Sequence, residues 1–165
     1  MYTQNILLPL LMSTSSLHEL QREAKDLARR YYKHTGRPLG VTGEVAEFEA
    51  ARILNLDLAD VRQAGWDATG RSDRGQTERL QIKGRCIVDQ SKRSTKLGRI
   101  DIAKEWDAII LVLLDATYSA TAIYRAEREE VVAALERPGS KARNERGQLA
   151  LSKFKAIGRQ VWPVA

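Results

Sequence analysis

ERLQIKGRCIV, residues 78–88, is the stretch whose reading decides the fold. Apolar and polar residues alternate along it, which is the period of a half-buried strand. Successive side chains of a strand point to opposite faces, so Leu80 and Ile82 face one way and Gln81 and Lys83 the other. An amide oxygen and an ammonium then stand side by side, about 7 Å apart at Cα. Just upstream, WDATG (66–70) is a short strand holding Asp67, and RSDRGQT (71–77) has the Ser, Asp and Gly chemistry of a turn. Residues 66–70 and 78–84 are therefore expected to form an antiparallel hairpin, and its register decides whether Asp67 meets Gln81 and Lys83.

Working outward, GEVAEFEAARIL (43–54) reads as a helix with Thr42 as its N-cap and Glu44 and Glu47 in its first turns. On a helical wheel Ala46, Ala50, Ile53 and Leu54 share one face, and Glu47 falls inside its margin. Glu44 lies further round, and Glu49 sits on the opposite flank. A carboxylate at a core margin needs a cation or hydrogen bonds. A metal ion or Lys83 would answer that need. A plainer account has Glu44 and Glu47 only complementing the helix dipole.

On the other side, DAIILVLLDA (107–116) is a continuous apolar run, expected to be a strand buried on both faces. TAIYRAE (121–127) reads as a further strand antiparallel to it, REEVVAALE (128–136) as a surface helix and 137–148 as a loop. Residues 151–162 close with a short helix and a final strand. Residues 56–65 form a connector with a strand at 60–64, and 100–106 a short helix or turn. At the front, Ser16 and Glu19 make a capping box for an amphipathic helix that Gly36 and Pro38 stop. His18 and His34 each stand alone on it and read as surface residues, not ligands.

A chain of 165 residues is expected to be one α/β domain, with an apolar arm at 1–14, a core at 43–115 and a C-terminal extension at 120–165. Cys86 is the sole cysteine, which excludes an internal disulfide and a cysteine-built metal site and fits a reducing cytoplasm. ILLPLLM (6–12) has no basic residue before it and carries Pro9. It reads as an arm that packs on the body or on a partner rather than as a signal peptide. Nothing in the sequence approaches a membrane span.

The net charge of +6 is concentrated in residues 79–104, where Arg79, Lys83, Arg85 and Lys104 flank a basic loop (91–99) carrying Lys92, Arg93, Lys96 and Arg99. Such an excess points to a polyanionic partner, nucleic acid above all. Trp66, Trp106 and Trp162 read as packing residues rather than base-stacking platforms.

Phosphodiester hydrolysis asks for a divalent cation, a positioned water, and groups that neutralise charge building on the phosphorus oxygens. Asp67 can supply an anionic metal ligand and Gln81 a neutral oxygen, as can the backbone carbonyl of Ile82. Glu47 or Glu44 can add a carboxylate. Lys83 can orient water or neutralise the developing charge. In this set GEVAEFEAARIL, GWD and LQIKGR together resemble the PD-(D/E)xK, or restriction-endonuclease-like, superfamily.

That resemblance covers residues 43–115. It implies a mixed β-sheet flanked by helices, a Mg2+ or Mn2+ cofactor, and catalysis by Glu47, Asp67, Gln81 and Lys83. The activity implied is a metal-dependent nuclease acting on DNA in repair, recombination or defence. It favours Glu47 over Glu44, because archaeal Holliday-junction resolvases of the superfamily place a glycine four residues before their helical glutamate, as Gly43 stands here. Some members that cut both strands are dimers, which makes a homodimer an expectation.

This chain departs from the pattern by carrying Gln81 where the superfamily has an acid, and Trp66 where a proline precedes the aspartate. A catalytically weak nucleic-acid-binding module, or a domain that meets an acidic protein, are the alternative readings.

Overall fold

The computed structural model describes residues 16–36, 38–60, 65–87 and 96–164. The apolar arm, residues 61–64 of the expected 60–64 strand, and Lys92 and Arg93 lie outside them. Helices α1 (Leu17–Thr35) and α2 (Thr42–Leu54) lead into strands β1 (Asp57–Leu58), β2 (Ala68–Arg71), β3 (Thr77–Cys86) and β4 (Ala108–Leu114). Then follow β5 (Ala120–Glu127), helices α3 (Arg128–Glu136), α4 (Lys141–Asn144) and α5 (Leu151–Ile157), and β6 (Arg159–Trp162). The strands form one six-stranded mixed sheet in the order β1-β2-β3-β4-β5-β6, flanked by helices, as expected.

β4 organises both layers. All seven of its residues are buried. Ala108, Ile110, Val112 and Leu114 pack toward α1 and α2, while Ile109, Leu111 and Leu113 pack toward α3 and α5. Each buried Ile or Leu contributes about 1.5–3 kcal/mol, so the unbroken apolar run serves two cores at once. β3 and β4 pair in parallel, and every other neighbour is antiparallel. A parallel pair needs a crossover of a dozen or more residues. Residues 87–107 provide it, with turns at 102–103 and no helix among its described residues.

The expected hairpin is present, with Ala68 opposite Leu80 and Arg71 opposite Thr77. The Ser16–Glu19 capping box and the left-handed Gly36 stop bound α1 as read.

Several expectations are corrected. Thr42 is the first helical residue, not the cap; the cap is Val41, and the Thr42 hydroxyl donates to the Leu39 carbonyl at 3.4 Å. A two-residue strand, Asp57–Leu58, lies in the stretch read as a connector. Asp67 sits immediately before β2 instead of within it. The loop at 137–148 contains the single turn of α4.

Glu49, expected on the flank of α2 opposite Glu44, is only 2% exposed. That flank meets α1, whose Lys25 bonds Glu49 at 3.2 Å, while Arg52 bonds its other oxygen at 2.9 Å. Two cations offset the desolvation of one carboxylate. Among the described residues no helix is long and apolar enough to cross a membrane.

Candidate active site

The hairpin opens where the site begins. The N–H of Asp67 still donates to Leu80 O at 2.8 Å, continuing the ladder by one residue. Ala59 in turn donates to Asp67 O at 2.9 Å. Past this point β2 has left β3, and the N–H of Ile82 would lose its partner. Asp67 Oδ2 takes it at 2.7 Å. A hydrogen bond from backbone to carboxylate is a charge-assisted one. It fixes the aspartate at the split between the strands and leaves Oδ1 without a hydrogen-bond partner among the described residues.

Gln81 lies on the face of β3 opposite the α2 core, as the alternation requires, and is 8% exposed. Its Nε2 donates to Gly65 O at 3.2 Å, which settles which end of the amide is which. Among the described residues, Oε1 is then buried with no partner. Leaving a buried acceptor unsatisfied costs about 1–3 kcal/mol, so such an atom calls for a ligand. Gly65 is part of the arrangement. Its φ is +110°, and a Cβ there would stand 2.9 Å from Glu105 O, so a side chain cannot replace it without strain.

Lys83 follows on the same face, half-buried. Burial lowers its proton affinity, and the nearby cations Arg85 and Lys104 lower it further. The carboxylates of Asp67 and Glu47 pull it back up.

Glu47 reaches this group from α2. Burial pushes its carboxyl up to about 7, with the charges of Asp67 and Glu44 adding to the shift and Lys83 opposing it. Of the two helical acids, Glu47 is thus the one that senses Asp67 and Lys83, while Glu44 is exposed on the first turn. The close approach of α2 depends on Gly84, one residue past Lys83. A Cβ there would lie 2.5 Å from Ala46 Cβ and 2.7 Å from Thr42 O. A glycine inside a strand marks such an approach.

The expected nucleic-acid contacts divide. Lys96 and Arg99 are exposed at the end of the basic loop. Arg85 is not a free cation: its Nε donates to Lys96 O at 2.7 Å and its Nη1 to Gly84 O, so it braces the loop against β3. Trp106 is 1% exposed and donates to Asp101 O at 3.0 Å, which makes it a core residue. Trp66 is half-buried beside Asp67, with the Arg79 guanidinium 5.6 Å from its ring.

No family model matches this chain, and no curated protein is significantly similar to it. Among the described residues no three His, Cys, Asp or Glu side chains gather closely enough to form a metal cluster on their own.

Sequence reasoning overlooked Gly65, Gly84 and the place of Lys104 beside Lys83. The glycines had a signal, since each interrupts or adjoins a strand pattern. Lys104 had none, because its nearness to Lys83 arises only from the crossover.

Proposed function

We propose that this chain is a divalent-metal-dependent nuclease of PD-(D/E)xK type acting on DNA, with Gln81 in the position of the usual acid. The observation that carries the reading is Oε1 of Gln81, buried and without a partner among the described residues. Gln81 stands between Leu80 and Ile82, whose backbones both bond Asp67, and it shares a sheet face with Lys83. The donor chemistry fits a small hard cation, which takes oxygen ligands and retains water. Asp67, Gln81 and Glu47 would hold Mg2+ or Mn2+, and the ion would polarise the phosphodiester and make bound water more acidic.

The remaining work falls to the chain itself. The Ile82 N–H holds Asp67 in one orientation. Lys83 presents an ammonium to the oxygens on which negative charge accumulates, in a half-buried setting where that attraction is stronger than in water. Glu47, whose carboxyl burial raises to about 7 without a cation, would ionise as a cation binds beside it. Lys96 and Arg99 supply positive charge along the approach.

The test is cleavage of supercoiled plasmid, single-stranded DNA, branched DNA and RNA with Mg2+ or Mn2+, beside Asp67→Ala and Lys83→Ala proteins whose circular dichroism matches the wild type. Metal-dependent cutting lost in both variants supports the proposal, and the substrate cut best defines its class. Cutting that survives in both overturns the site. Tight, salt-sensitive binding without cutting replaces the nuclease by a binding module, which the missing acid at Gln81 would then explain.

A further inference from the structure

α1 carries an apolar stripe that the rest of the described chain does not cover. Leu17 is 62% exposed, Leu20 and Leu27 are each 51% exposed, and Tyr31 is 40% exposed. With Ala24 these residues fall at successive a and d positions of a heptad, the seam of a two-helix coiled coil. The helix meets its own protein through other residues. Ala28 is fully buried, and Lys25 reaches Glu49. An open groove runs beside the stripe, lined by Leu20, Ala24 and Leu27 and edged by Glu23 and Arg30.

We propose that a second copy of this chain covers the stripe, the two α1 helices packing antiparallel about a two-fold axis. This goes beyond the nuclease reading and does not rest on it. Charge decides both the occupant and the direction. In the heptad set by Leu17 and Leu20, Glu23 and Arg30 are the g positions that flank the seam on its solvent side.

In an antiparallel pair with Ala24 opposite Leu27 of the second copy, Glu23 faces Arg30 of that copy and Arg30 faces its Glu23. Leu20 then meets Tyr31 of the second copy. One surface thus complements itself, as a two-fold interface requires. A parallel pair would instead set Glu23 against Ala28 and Arg30 against Thr35, with no opposite charges joined. Arg30 is exposed and bonds Asp26 of its own helix through Nε at 3.0 Å.

A helix of 19 residues is about 28 Å long, and one seam of that length buries on the order of 800 Å² in total. That is below the size of a permanent interface, so the dimer is expected to be reversible, with a Kd of about 1–100 µM.

Sedimentation equilibrium of the full chain across that range tests the proposal. The wild type should show a monomer–dimer equilibrium. Glu23→Arg and Arg30→Glu should each weaken it by about fivefold to tenfold, since each puts like charges together twice across the axis. The double swap, Glu23→Arg with Arg30→Glu, should restore it to within about twofold. Leu20→Asp with Leu27→Asp should abolish it. All four positions are exposed, and helical circular dichroism checks that α1 persists. A wild type that stays monomeric overturns the proposal, leaving residues 1–15 or another protein as the occupant. A double swap that fails to restore association, or a dimer that survives the aspartates, overturns it equally.

Discussion

Glu47→Gln separates a structural glutamate from one held for a ligand. Burial first, then the Asp67 and Glu44 carboxylates, raise the Glu47 carboxyl to about 7 from an ordinary 4.5. The folded state therefore binds the Glu47 proton more tightly than the unfolded chain does. Its stabilising contribution is complete below about pH 4.5 and is lost as the pH rises through about 7. At 1.36 kcal/mol per tenfold the whole difference is worth about 3 kcal/mol. Solvent screening of a half-buried carboxyl reduces this to about 1.5 kcal/mol.

The glutamine variant keeps the shape and does not titrate. Urea unfolding in a chelator at a series of pH values should show the variant gaining about 1.5 kcal/mol on the wild type between about pH 5 and pH 8. Magnesium added at the upper pH should stabilise the wild type, because a cation between Glu47, Asp67 and Gln81 relieves the repulsion and binds only the folded state. It should stabilise the variant much less. A difference between the two proteins that stays constant with pH would refute the account of Glu47. Equal stabilisation of both by magnesium would place the cation elsewhere.

Three other outcomes are expected. Gln81→Glu adds a carboxylate where the unpartnered oxygen now stands, so Mn2+ affinity by calorimetry should rise by about tenfold or more, while stability in chelator falls; unchanged affinity would remove Gln81 from the ligand set. Arg125→Ala strips both carboxylates it bonds and leaves Glu78, 7% exposed, without its cation, at a cost of about 3 kcal/mol in urea unfolding. Replacing Lys92, Arg93 and Lys96 by alanine should flatten the dependence of log affinity for DNA on log salt by about 0.9 for each phosphate no longer neutralised; an unchanged slope would exclude the loop from the interface.

The elements of the sheet were legible in the sequence because backbone geometry imposes a local period. The β4 run announced burial on two faces, and the alternation of LQIKGR placed Leu80 and Ile82 opposite Gln81 and Lys83. Turn residues between 71 and 77 joined β2 to β3 in the expected sense. The seam of α1 could likewise be read from its spacing, although not its exposure.

What only the tertiary structure decided is how charges and unpaired groups meet. A wheel put Glu49 on the flank away from the core face, and Lys25, 24 residues earlier, draws it into the contact between α1 and α2. Asp67 lies outside its strand, and its value to the site comes from the N–H that Ile82 is left with when β2 departs. The proton affinity of Glu47 depends first on its burial and then on Asp67, brought near by a helix–sheet approach that Gly84 permits. A helical or strand period follows from bonds between residues close in the chain. Coulomb and desolvation energies depend on distance and burial in space, which no local period encodes.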